Sequence, residues 1–337
     1  MKQLSAVFLS AVFLGGVLCG CSQPEAESLP ETEVETQESM KVLTIGTADN
    51  GGTMYPVGHA LTEVIGSQDP LIKVNISAST GSAYNAEQIL NGQFDMGLVS
   101  GDVAYETYFS SEAQEFVQEP SKYDLVALGA VYVSISNWMA PKSTGLVYVH
   151  DLKNGSASIG LDGSTTEHSA RIALTAVGLD ESDIALSNQG FNTGSEAVKE
   201  GRLDAVHGLA GIPIPSMADL ASEVPSRLLR YTEEELQEIL EENPYYFVTA
   251  IPAGTYPGQS QDVETFGVKC LLCVRNDMDR RLAYRITECI DKSIDELTEK
   301  HAAMGAMKEA GFMNEELPIP LHPGAREYYR KKRWNEK

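Results

Sequence analysis

Two stretches of the chain carry the same succession of apolar and polar positions. Residues 86–100, AEQILNGQFDMGLVS, and residues 195–209, SEAVKEGRLDAVHGL, align at a constant offset of 109. Glu87, Ile89, Gly92, Phe94 and Asp95 thereby match Glu196, Val198, Gly201, Leu203 and Asp204. Each stretch predicts a short helix with one apolar face, a glycine that ends it, and an aspartate that opens a uniformly apolar strand. The units just before them agree too. LTIG ends at Gly46 and leads through a small-residue loop into a helix containing HALTEVI; ASIG ends at Gly160 and leads through LDGSTTE into HSARIALTAVGL. Each half reads strand, loop, helix, strand, loop, helix, strand, which is an α/β lobe with a mainly parallel sheet.

The remaining segments suit a chain that crosses twice between the halves. Residues 123–141 are apolar and rich in β-formers up to Pro141, residues 244–258 combine turn residues with a short apolar run, VETFGVKCLLCVR reads as a strand, and 277–310 is helical in pattern. The expected division is lobe I at 41–131 plus 251–337 and lobe II at 132–250. The chain has 337 residues, 42% of them hydrophobic, enough for two cores.

Ligands of open α/β sheets sit at the C-terminal ends of strands, beside helix N-termini. The loops so placed are 47–55 (TADNGGTMY), 79–85 (STGSAYN), 100–102 (SGD), 161–167 (LDGSTTE) and 209–213 with its AGIP turn. All are rich in Gly, Ser and Thr, and none holds Lys or Arg. The stretch 42–58, VLTIGTADNGGTMYPVG, nearly copies a phosphate-binding loop, but Gly52 stands where that loop needs lysine. Backbone N–H groups at helix N-termini bind anions without a cation, and a carboxylate is small enough to be satisfied by them. Helix capping by Ser82, Thr165 or Ser195 is the alternative for each loop alone. Asp102 is placed either to cap the helix VAYETYF or to accept a ligand ammonium. Asp49 opposes a carboxylate unless it points away or the ligand has a positive end. Tyr55 and Tyr84 are candidates to pack on a ligand, and Trp138 reads as core or hinge packing. No nucleophile elbow and no histidine pair at metal spacing occurs; His59 and His168 read as helix residues. No catalytic residue, metal or cofactor is expected.

Lys2 followed by the apolar run 5–19 and then LCGC at 18–21 reads as a lipoprotein signal peptide over 1–20, with Cys21 as the lipidated residue; an ordinary cleaved secretory signal is the alternative. Residues 22–41 hold six glutamates and two prolines, and the segment 21–40 reads as a disordered acidic tether. Of the other cysteines, Cys270 and Cys273 fall on opposite faces of one buried strand, and with Cys289 they make an odd set that excludes a complete disulfide framework. The net charge of −23 argues against nucleic acid.

The stretches GGTMYPVG (51–58), STGSAYN (79–85), NGQFDMGLVSGDVAYE (91–106), GLDGSTTEHSARIAL (160–174), VKEGRLDAVHGLAGIP (198–213), IPAGTYPG (251–258) and PIPLHPGAREYYR (318–330) occur in order from about residue 41 to the end. In these the chain resembles the TAXI solute receptors of tripartite ATP-independent periplasmic (TRAP) transporters. The resemblance implies a two-lobed periplasmic-binding-protein fold of the second topological type. It implies a monomeric extracytoplasmic receptor, not an enzyme, that closes on a small carboxylate or zwitterion such as glutamate or 2-oxoglutarate. Such a receptor delivers its cargo to a membrane symporter. Its loops map onto Gly51, Gly52, Thr53 and Tyr55; onto Thr80, Gly81, Ser82 and Asn85; onto Gly163, Ser164, Thr165 and Glu167; and onto Gly211 and Pro213. These residues other than Pro213, with Asn50, Asp102 and Thr166, are the candidate ligand contacts. Asp49–Asn50 and Ile212 depart from the family's usual residues, so its usual ligands do not transfer directly. A same-fold receptor for an ATP-driven importer or a sensor kinase is the alternative.

Overall fold

The computed structural model describes residues 39–48, 52–109, 121 and 124–335. Cys21, Asp49, Asn50 and Gly51, along with the signal segment and the tether up to residue 38, lie outside them.

The first repeat folds as β1 (Lys41–Gly46), α1 (Met54–Gln68), β2 (Ile72–Ser77), α2 (Ser82–Leu90) and β3 (Met96–Ser100), followed by α3 (Gly101–Phe109). A long strand β4 (Leu125–Pro141) leads to the second repeat: β5 (Ser156–Ser158), α4 (Thr165–Ala176), β6 (Ala185–Ser187), α5 (Phe191–Lys199) and β7 (Ala205–Ala210). Then come α6 (Pro215–Glu223), β8 (Ser226–Leu228), α7 (Glu233–Glu242), β9 (Phe247–Ile251), β10 (Val263–Arg275), α8 (Arg280–Lys292), α9 (Ile294–Lys300), a 3-10 segment Ala302–Lys308, and α10 (Pro323–Asn335).

Within each repeat the strands run parallel, β2-β1-β3 and β6-β5-β7, as the repeated strand–helix pattern requires. The middle is antiparallel: β10 pairs with β3, β4 and β9, and β4 pairs with β7 and β8. The described strands therefore form one sheet, ordered β2-β1-β3-β10-β4-β7-β5-β6, rather than two separate ones. The reason is length. β4 has 17 residues and spans roughly 55 Å at about 3.3 Å per residue, enough to lie in both halves.

The buried side chains separate into three clusters along these strands. Leu125–Tyr132 of β4 and Cys270–Val274 of β10 belong to the core with Ile45, Leu61 and Ile89, whereas Trp138, Phe266 and Val268 belong to the core with Ile159, Ala173 and Ile239. Ile251, Tyr256 and Val263 pack with Met139 and Ile214. β9 forms a hairpin with the first half of β10, and the expected return at 250/251 falls at the end of β9, inside that hairpin. Cys270 and Cys273 are fully buried free thiols, and burial pushes Cys270 up to about 12.

The matched residues perform matched tasks. Gly92 and Gly201 adopt φ of 70° and 72° just past their helices, the left-handed turn that glycine adopts without a Cβ clash. Asp95 Oδ2 accepts the Thr44 amide at 2.7 Å while its own amide donates to the Thr44 carbonyl. Asp204 Oδ2 accepts the Ser156 amide at 2.8 Å and the Ser156 hydroxyl at 2.7 Å, and its amide donates to the Ser156 carbonyl. Each aspartate clasps the first strand of its repeat to the third. Asp95→Ala is expected to cost about 1 kcal/mol and the less exposed Asp204→Ala about 1–3 kcal/mol, read from urea midpoints; equal, negligible losses would contradict the clasp.

Candidate functional site

A parallel β-α-β unit places each helix N-terminus at the same edge of the sheet. With two such repeats facing one another, α1, α2, α4 and α5 point their first turns at a single cavity of about 110 Å³. Gly52 and Met54 come from α1's start, Thr80–Tyr84 from α2's, Gly163–Thr166 from α4's, and Gly190–Phe191 from α5's; Tyr132 and Ser134 of β4 complete the wall. The first N–H groups of a helix have no intrahelical carbonyl to bond, so this wall is dense in donors carrying partial positive charge. Hydroxyls of Thr80, Ser82, Tyr132, Ser134, Thr165 and Thr166 add directional partners. Among the described residues no Lys, Arg, His, Asp or Glu lines it.

The candidates Gly52, Thr80, Gly81, Ser82, Gly163, Ser164, Thr165 and Thr166 all lie on this wall. Six others do not, each for a definable reason. Asn85 is fully buried; its Nδ2 donates to the Thr47 carbonyl at 2.6 Å and the Leu98 carbonyl at 2.8 Å, and its Oδ1 accepts from Ser79 Oγ at 2.7 Å. It ties the loop after β1 to β3 and to the α2 entry. Glu167 Oε2 accepts the Gly163 amide, and its Oε1 accepts Arg171 Nη2 at 2.8 Å. Burial alone would raise this carboxyl, but Arg171 and the Gly163 amide together hold it below its ordinary value. Asp102 is fully buried, accepting the Val103 amide at 2.8 Å and Tyr246 Oη at 3.2 Å. Tyr55 packs edge-on against His59. Thr53 Oγ1 lies 3.4 Å from the Gly211 carbonyl, and Gly211 sits so close to Thr53 and Ala303 that a Cβ would collide with both.

Several of these contacts cross between the lobes. Besides Thr53–Gly211 and Asp102–Tyr246, His168 Nε2 stands 3.1 Å from Glu106 Oε1, and the Tyr105 and Tyr245 rings are 5.4 Å apart. The residues that sequence reasoning passed over on the cavity wall include Tyr132, Ser134, Gly190 and Phe191. The 109-residue offset carried the signal for one of them, since it maps Gly81 onto Gly190.

Behind α4 lies His207, fully buried, its ring tilted against that of Trp138 with centroids 4.5 Å apart. Its Nδ1 is 3.2 Å from the Thr166 carbonyl, which can only accept, so Nδ1 carries the proton and Nε2 accepts from Ser136 Oγ at 3.1 Å. Burial lowers this imidazole to about 3, against the opposing pull of Thr166. Its neutral ring fixes the first turn of α4.

A larger open groove of about 930 Å³ lies between β9 and the segment 302–318. Its charged lining is Glu309, Glu315, Glu316 and Lys269, and the Lys269 amine is already donating to the Phe312 and Glu315 carbonyls. Such a wall repels an anion, so the smaller cavity is the candidate site. Among the described residues no group of three or more His, Cys, Asp or Glu is placed to hold a metal ion.

Two measurements follow from this scaffolding. Because the folded His207 pKa is depressed, its contribution is complete above about pH 6.5 and is lost as pH falls from there toward about 3, by at most about 1.4 kcal/mol per pH unit. His207→Asn, which keeps a donor toward Thr166, is expected to flatten that part of the stability profile; an unchanged slope would place the ionisation elsewhere. Asn85→Ala removes the buried amide that donates to the Thr47 and Leu98 carbonyls and is expected to destabilise by about 2–3 kcal/mol, whereas a loss under about 0.5 kcal/mol would show that water replaces the amide.

Known structures share this architecture at low identity. PhnD1 from Prochlorococcus marinus (MIT 9301), solved with methylphosphonate, is 12% identical over 88% of this chain and 99% of that one, with a TM-score of 0.51. MatC from Rhodopseudomonas palustris, solved with malate, is 13% identical over 88% and 98%, with a TM-score of 0.50. The periplasmic aliphatic sulphonate binding protein SsuA from Escherichia coli is 14% identical over 87% and 88%, with a TM-score of 0.46. The fold is the two-lobed one of periplasmic solute-binding proteins. The model of the NMT1-like family matches residues 45–332, nearly all of the chain outside its N-terminal segment, and the chain belongs to that family.

Proposed function

We propose that this protein is an extracytoplasmic receptor that captures a small anionic metabolite in the inter-lobe cavity and hands it to a membrane importer. The observation that carries this reading is the meeting of four helix N-termini, two from each lobe, on a wall that holds no charged side chain among the described residues. An anion there gains several N–H bonds and the favourable ends of the helix dipoles, with no counter-charge to desolvate. A cavity of about 110 Å³ is below the roughly 300–1,000 Å³ of pockets for drug-sized ligands, which favours a small carboxylate, 2-oxo acid or amino acid over a nucleotide. In this reading Gly52, Thr80–Ser82 and Gly163–Thr166 hold the anion, Asn85, Glu167 and His207 hold those loops in place, and no bond of the cargo is made or broken.

The importer has two readings. An ATP-driven importer is supported at least as well as a TRAP symporter, since family and fold suffice for it. The TRAP reading, with glutamate or 2-oxoglutarate as cargo, draws on the TAXI-like stretches such as IPAGTYPG and PIPLHPGAREYYR. Uptake by membrane vesicles supplied with the receptor separates them: dependence on ATP favours the first, dependence on a sodium gradient the second.

No helix among the described residues is long and apolar enough to cross a membrane. The proposed attachment is a lipid on Cys21, and Cys21→Ser is expected to move the protein from the membrane fraction to the soluble one; unchanged fractionation would remove that anchor from the account.

Binding is tested by a thermal-shift screen of carboxylates, 2-oxo acids, amino acids, phosphonates and sulfonates. A true cargo at 100 times its dissociation constant stabilises the fold by about 2.7 kcal/mol. Thr165→Glu, which puts a carboxylate on the wall, should abolish that shift. A screen silent for every anion, or a shift that survives Thr165→Glu, would defeat the reading.

A further inference from the structure

The second lobe carries another concavity that the cleft does not use. It encloses about 270 Å³ between the end of β4, strand β8 and the turn at 258–261. Lys142, Arg227 and Arg230 line it, together with Gln259, Ser260 and Gln261. In a chain of net charge −23, cations usually lie beside acids: Arg171 meets Glu167 and Glu181, Lys199 meets Glu196 and Glu223, and Lys300 meets Glu63 and Glu296. Among the described residues, the three cations of this pocket form no ion pair, and no Asp or Glu lines it. Arg227 Nε is shielded from solvent and has no hydrogen-bond partner there.

The pocket is built rather than incidental. The Lys142 amide donates to the Pro225 carbonyl at 2.8 Å and the Arg230 amide to the Val147 carbonyl at 3.0 Å, fixing both backbones. Gln259 Nε2 donates to the Ile251 and Gln261 carbonyls at 3.0 Å each, which holds the facing turn. Arg230 Nη2 donates to Gln261 Oε1 at 3.0 Å, leaving its other guanidinium donors for a guest. Three like charges around one hollow, with no acid beside them, repel each other. An oxyanion in the hollow relieves that repulsion, because guanidinium forks match its oxygens in pairs.

We propose that this pocket is a second anion site, separate from the cargo cavity, which takes a small free oxyanion of the phosphate, sulfate or carboxylate class. Inorganic phosphate, titrated calorimetrically at low ionic strength into the full-length protein, is the probe. Arg227→Gln with Arg230→Gln is expected to weaken phosphate binding at least tenfold, and Lys142→Gln, at an exposed position, about threefold. Thr165→Glu, which closes the cargo cavity to anions, should leave phosphate affinity within twofold of wild type. The Lys142 variant keeps the test decisive if the double variant does not fold. Absence of phosphate binding by the wild type, or equal affinity in the arginine or lysine variants, would overturn the proposal. Loss of binding in Thr165→Glu would also overturn it by moving the phosphate to the cleft, and would leave the receptor reading intact.

Discussion

Every helix leaves its first N–H groups without a partner inside the helix, and that constraint shapes this molecule. In a parallel β-α-β repeat those groups emerge at the C-terminal edge of the strands. Two copies of the repeat, joined in one sheet through β10 and β4, turn the orphaned donors of α1, α2, α4 and α5 toward one another. Loops that approach so closely must be small, which explains the density of Gly, Ser and Thr. They also need no lysine, because the peptide dipoles already supply positive potential.

The rest of the architecture holds these loops in position. Asn85 gathers three backbone segments in lobe I, and His207 supports the α4 turn in lobe II. The two lobes are joined through β4 and β10, the strands long enough to enter both cores. In a receptor of this kind the cargo must favour the closed arrangement over the open one. The contacts that join the lobes, Thr53 to Gly211, Asp102 to Tyr246 and Glu106 to His168, are those that opening would break. Asp102 and Tyr246 are both buried in this arrangement, and burial with the adjacent Asp102 carboxylate drives the Tyr246 phenol well above its ordinary value.

Much of the fold was legible because the repeat marks itself with residues that have few substitutes. Gly92 and Gly201 stand at left-handed turns, and Asp95 and Asp204 open equivalent strands. β10 appeared whole in VETFGVKCLLCVR because it is buried along most of its length. The joining of the halves into one sheet was not legible, since an apolar run does not announce its partner strand. The β9–β10 hairpin looks in sequence like a crossing between lobes, since a short apolar run does not show that it pairs with the strand that follows it. At the site, residue type identified polar loops but not where each polar group spends its hydrogen bonds. Asn85, Asp102 and Glu167 have the chemistry of ligand contacts, yet the protein's own amides, carbonyls and side chains occupy them. Tyr132 and Ser134 were hidden inside an apolar strand. Gly190 follows a β6 of three residues, too short to stand out.

The central claim is that uncharged peptide dipoles from both lobes suffice to hold the cargo. A crystal structure of the protein with its natural cargo tests it most directly. The account predicts an acidic group in the cavity, with oxygens within about 3.2 Å of first-turn amides of α2 and α4. Cargo lying in the groove beside Lys269, or gripped chiefly by lysine or arginine, would contradict it.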